Sequence, residues 1–139
     1  MRAIKTGLLL ALAALIILSL TTLPDRLVFE GGDEYVFYCG TSSADCREVF
    51  AGENAALTRL TLTNVCGESA VYTEFDLQSY LKQVNGEIVF VEELSDSVNY
   101  YCTANLPYSV NLYGREINLH VCVREGGTKV ASPIIFGGY

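Results

Sequence analysis

Residues 117–123 read Ile117-Asn118-Leu119-His120-Val121-Cys122-Val123, an unbroken alternation of apolar and other side chains. A β-strand turns successive side chains to opposite faces, so this spacing predicts a strand with one buried face. Ile117, Leu119, Val121 and Val123 are assigned to the core. Asn118, His120, Cys122 and Arg124 fall on the opposite face, which is left open.

Strands follow in both directions. Glu125-Gly126-Gly127 reads as a hairpin turn, and Thr128 to Phe136 as the closing strand, with Pro133 marking an edge or bulge. Upstream, Tyr108 to Tyr113, Val98 to Ala104 and Glu87 to Glu93 (EIVFVEE) are β-rich runs between turn residues. Glu34 to Cys39 and Cys46 to Ala51 read as a hairpin around Gly40 to Asp45, and Leu57 to Val65 (LTRLTLTNV) as a further strand. Only Phe75 to Asn85 takes the helical period. Leu77, Tyr80, Leu81 and Val84 form one stripe, Thr73 and Asp76 offer a cap, and Asn85-Gly86 a stop. The pattern is α+β, an antiparallel sheet with one main helix packed on one face.

The domain is predicted to span 34–139. Residues 25–33, with Gly31-Gly32, read as a linker. Before it, residues 7–23 (GLLLALAALIILSLTTL) carry no charge and follow Arg2 and Lys5. Residues 1–24 are therefore expected to be a signal anchor or signal peptide. No A-x-A cleavage site follows the apolar run. The favoured expectation is a single-pass anchor in the plasma membrane with the domain outside; cleavage would make the protein secreted.

With Arg2 and Lys5 set apart, seven basic residues face sixteen acidic ones, a balance near −9. Nucleic-acid phosphates demand a basic face, so a nucleic-acid partner is excluded. A protein or other envelope component, or a second copy of the chain, is the expected partner.

The tail REINLHVCVREGGTKVASPIIFGGY carries Ile117-Asn118-Leu119-His120, then a hairpin, then Ala131-Ser132-Pro133-Ile134-Ile135. It resembles the end of YwmB-like proteins of Gram-positive bacteria. The helix ending at Asn85-Gly86 and the EIVFVEE strand fit the same pattern, so the resemblance covers roughly Asp76 to Tyr139. It implies a TATA-box-binding-protein-like fold, a curved antiparallel sheet with helices on one side. That name describes a shape, and neither DNA binding nor catalytic residues come with it. The chain is shorter than that family's tandem arrangement, and its cysteines depart from the family pattern.

Five cysteines are present. Outside the cell disulfides are permitted. Cys39 and Cys46 flank a short loop, and Cys102 and Cys122 lie on strands expected to be neighbours; these are the disulfide candidates, with Cys66 left over. Five reduced, partly buried thiols are the alternative. His120 and Cys122, completed by Cys102 or Cys39, lack the paired spacing of zinc sites, so no metal is assigned. Ser42 or Ser43 with Asp45 and His120 sketches a hydrolase, but no G-x-S-x-G elbow is present. No catalytic residue and no cofactor are assigned.

Tyr35, Tyr38, Tyr100, Tyr101, Tyr108 and Tyr113 lie on or near strands, and tyrosine suits interfaces. The expectation is a non-catalytic, membrane-anchored extracytoplasmic domain of the cell envelope. It binds another envelope component or itself through the sheet face of Asn118, His120 and Arg124. The alternative is an envelope hydrolase or thiol enzyme using His120 with a cysteine.

Overall fold

The computed structural model describes residues 1–21, 26–41 and 43–137, without the side chains of residues 2, 19–21 and 43. Helix α1 (Arg2–Thr21) comes first. Then come β1 (Glu34–Cys39), a short 3-10 turn (Ser43–Asp45), β2 (Arg47–Ala51), α2 (Ala55–Thr61), β3 (Val65–Tyr72) and α3 (Leu77–Gln83). Six strands complete the chain: β4 (Glu87–Glu93), β5 (Ser97–Thr103), β6 (Val110–Leu112), β7 (Arg115–Ile117), β8 (Leu119–Arg124) and β9 (Gly127–Ser132).

Seven strands form one antiparallel sheet in the order β2-β1-β3-β9-β8-β5-β4. Strands β6 and β7 make a separate two-stranded ribbon. The sheet has two faces that register defines. On the first, Tyr35, Phe37, Val121, Val130 and Leu119 pack with Ala55 of α2 and Leu81 of α3. Helix α3 docks by the stripe its periodicity predicts, with Leu77, Tyr80 and Val84 beside Leu81. Its cap is Asp76 alone, whose carboxylate accepts from the Ser79 N–H at 3.1 Å.

The antiparallel sheet of the α+β expectation is present. It carries two short helices, α2 and α3, instead of one main helix. The strand expected over Leu57–Val65 is a correction: Ala55–Thr61 is helical. Alternation of Leu with Thr or Arg suggested a strand, yet Leu57 and Leu60 are exposed and the helix buries Ala55 and Arg59, four residues apart. Asn64, at φ 55°, reverses the chain into β3.

Strand β3 itself, VCGESAVY, was not anticipated, because glycine, glutamate and serine have low strand propensity. Its position explains its composition. A side chain at Gly67 would meet the Ser132 carbonyl at 2.9 Å and the Tyr38 ring at 3.1 Å. Glu68 is fully buried and accepts hydrogen bonds from the N–H groups of Val28 and Phe29. That carboxylate binds residues 28 and 29 to the domain. Phe29, inside the stretch read as a linker, is itself fully buried.

The run 117–123 is divided at Asn118. The Asn118 N–H bonds to the Cys102 carbonyl at 3.1 Å, and its amide oxygen accepts from the Ala104 N–H. Leu119 and Val121 lie in the core cluster beneath the helices, as the alternation predicts, but Val123, also assigned to the core, is exposed near the end of β8 beside the Gly126 turn.

Side chains of α1 from Ala3 to Leu18 are all exposed. Among the described residues no helix is long and apolar enough to cross a membrane. The proposed anchor boundary, residues 22–24, and Ser42 lie outside the described residues.

Candidate binding site

The second sheet face is not open where His120 stands. His120 is 2 % exposed, and Asn118 is buried as well. Of the three residues assigned to this face, Arg124 alone reaches solvent, 3.6 Å from the Asp96 carboxylate. The cover is the carboxy-terminal segment. After β9 the chain crosses back over the sheet, placing Ile135 against Cys122 and Ala131 and setting Phe136 edge-on to Tyr38 at 4.7 Å. The Ser132-Pro133 peptide in this segment is cis.

His120 fastens that segment. The Ile135 N–H donates to Nδ1 at 3.2 Å, so Nδ1 carries no proton. Nε2 then bears the hydrogen and donates to the Asn99 amide oxygen at 2.9 Å. Burial, helped by the charge of Lys129, lowers the imidazole from its ordinary 6.5 to about 4. The neutral ring is therefore the form the fold selects.

Beyond His120 the rings continue across three strands. Register pairs Tyr101 with both His120 and Phe90. The His120 and Tyr101 rings stack at 4.4 Å, and Tyr101 and Phe90 stack at the same spacing, each pair 17° from parallel. Tyr113, from the β6–β7 ribbon, closes on Phe90 at 6.1 Å and 70°. The Glu92 carboxylate accepts from the Tyr101 hydroxyl at 3.3 Å. Together with Leu112 and Ile134 these groups line a cavity of ≈ 270 Å³.

Tyr113 is held there at a cost. Leu112 pairs with Arg115, so the ribbon turns through Tyr113 and Gly114 alone, at φ 52° and 77°. Two positive φ angles define the hairpin turn in which asparagine is favoured at the first position. Tyrosine in that region is uncommon, and this one is 93 % exposed. The Arg115 guanidinium, just beyond, donates to the Val89 carbonyl of β4 and ties the ribbon to the sheet.

The cysteines are all free thiols. Cys102 pairs with Leu119, whereas Cys122 pairs with Asn99, so the two lie three positions apart on opposite faces. Cys39 pairs with Arg47, which leaves Cys46 one position out of step with it. Cys66, expected to be left over from the pairings, lies within electrostatic reach of Cys46 and Cys39 and donates to the Tyr38 carbonyl. Burial pushes Cys102 up to about 11 and raises Cys122 and Cys66 as well, holding these thiols protonated. Among the described residues no cluster of three or more His, Cys, Asp or Glu side chains is arranged to hold a metal.

The remaining tyrosines divide by role. Tyr35 and Tyr38 are buried, Tyr100 packs against the helix-side core, and Tyr108 accepts from Arg59 at 3.3 Å. The sequence reading missed Phe90, Asn99 and Ile135. The available signal was register: a strand pair that aligns His120 with Tyr101 also aligns Tyr101 with an aromatic on the next strand. Compared with protein families, curated proteins and solved structures, the chain matches none.

Proposed function

We propose that this chain is a membrane-anchored extracytoplasmic domain that binds another component of the cell envelope, without catalysis, through the aromatic surface of Phe90 and Tyr113 at the end of the ring row that starts from the buried His120. One observation carries the reading: from Gly7 to Leu18 α1 has no charged or polar side chain, and all of these residues are exposed. A helix of that kind needs a lipid or protein cover. Among the described residues none of α1 packs in the core of the β-domain, which is formed by the strands with α2, α3 and residues 27–29. Arg2 and Lys5 hold the amino terminus on the cytoplasmic side. Kinship with YwmB-like envelope proteins belongs to the same proposal.

The site favours binding over the thiol or hydrolase alternative. Both His120 nitrogens are engaged within the fold, and the nearby Cys122 thiol stays protonated. The test is fractionation and protease access of the full chain in a bacterial host. The protein should stay with membranes through an alkaline carbonate wash, and protease added to intact spheroplasts should digest the domain. Release into the wash, or a protected domain, would overturn the reading.

A further inference from the structure

We infer that the corner between Phe90 and Tyr113, flanked by Glu92, is a receptor for an organic ammonium group. This inference rests on the proposed binding role of the same face.

Three features support it. The rings of Phe90 and Tyr113 stand 70° apart with centroids 6.1 Å from each other, so two walls meet at nearly a right angle. Aromatic faces carry negative charge density and attract cations placed over them, alkylated ammonium groups especially. The Glu92 carboxylate at the rim adds a full negative charge, and its bond to the Tyr101 hydroxyl fixes it beside the rings. The surrounding domain is acidic, which raises the local concentration of any cation.

Tyr113 supplies the independent observation. Nothing in packing requires a large aromatic there, because the side chain is almost wholly exposed. The backbone position disfavours it. A strained, exposed ring that forms one wall of a cavity has its explanation in what enters the cavity. At ≈ 270 Å³ the space admits one head group or side-chain end and is below the size of pockets for larger ligands.

The chemistry has two sources, a choline-type quaternary ammonium and a lysine side chain of a partner protein. The experiment uses the full chain in a maltoside detergent and follows tyrosine ring resonances. The probes are choline, its neutral isostere 3,3-dimethylbutan-1-ol, and Nα-acetyl-lysine methylamide. Saturable shifts should appear with a cation, which should bind about three- to tenfold tighter than the neutral isostere. Tyr113→Ala should abolish the preference while the amide spectrum stays folded, and Glu92→Gln should weaken it. Tighter choline binding assigns the site to a head group; tighter lysine binding assigns it to a protein partner. Binding of neither cation more tightly than the neutral isostere would overturn the inference, as would a preference that survives Tyr113→Ala. Failure here leaves the carbonate and protease result standing, so the two readings fail separately.

Discussion

His120 and Glu68 are buried titratable groups whose pKa shifts favour the neutral forms, and they pull stability in opposite directions as pH falls. The folded chain keeps His120 neutral down to about 4, while the unfolded imidazole takes its proton near 6.5. Its contribution is thus complete above 6.5 and is lost as pH falls from there toward 4, by up to about 3 kcal/mol. Below that the imidazolium would set an Nδ1–H against the Ile135 N–H. Burial raises Glu68, so its carboxyl takes a proton sooner in the folded chain and favours folding as acid is added. Urea unfolding of the native chain and of His120→Gln isolates the first effect, because Glu68 acts in both. The native chain should lose stability relative to the variant between pH 6.5 and 4; parallel curves would contradict the Ile135 assignment. Glu68→Ala should cost about 2–4 kcal/mol by leaving the buried N–H groups of Val28 and Phe29 without an acceptor, and Glu68→Gln should cost less. Thermal melts of the two variants give the comparison.

At the scale of elements, the β6–β7 ribbon predicts an exchange of stability for binding. Tyr113→Asn places the favoured residue in the turn and should stabilise the chain by about 0.5–1 kcal/mol while removing one wall of the cavity. A rise in melting midpoint together with lost ammonium preference is the expected pair of results. What the sequence made legible also divides by element. Helix α3 and strands β4, β5, β8 and β9 were readable because each has a periodic apolar face bounded by turn residues. Helix α2 was not, because its leucines point outward and Ala55 and Arg59 do the packing. Strand β3 was hidden for a related reason: a central strand crossed closely by the tail and clasping residues 28 and 29 needs Gly67 and Glu68 more than it needs β-propensity. The candidate site was half visible. His120 and the tyrosines stood out by residue type, but their stacking depends on register between strands far apart in sequence.

For the whole molecule, the carboxy-terminal segment matters as much as any strand, since it converts an open sheet face into a second small core around Cys122, Ala131 and Ile135. Thiol labelling reports that cover. In the native full chain Cys46 and Cys66 should alkylate first, and Cys39, Cys102 and Cys122 slowly. Phe136→Ala, which removes the ring packed on Tyr38, should speed labelling of Cys122 without changing Cys102 on the opposite face. Equal acceleration at both would mean that the change loosens the sheet itself and not the segment above it. The long spacing between Tyr38 and Phe136 explains why composition alone gave no hint of this cover.

If α1 anchors the chain as proposed, the Glu68 clasp has a mechanical consequence. Tension arriving from that side first meets the hydrogen bonds that hold Val28 and Phe29 to one buried carboxylate. Next come the Tyr72 hydroxyl, which donates to the Glu30 carbonyl, and the Asp33 N–H, which donates to the Val71 carbonyl, before β1, which is laced to β2 by five residue pairs and to β3 by six. The domain thus has a small fuse ahead of a doubly sewn seam. A modest pull would pay out a few residues of slack before any part of the sheet is disturbed.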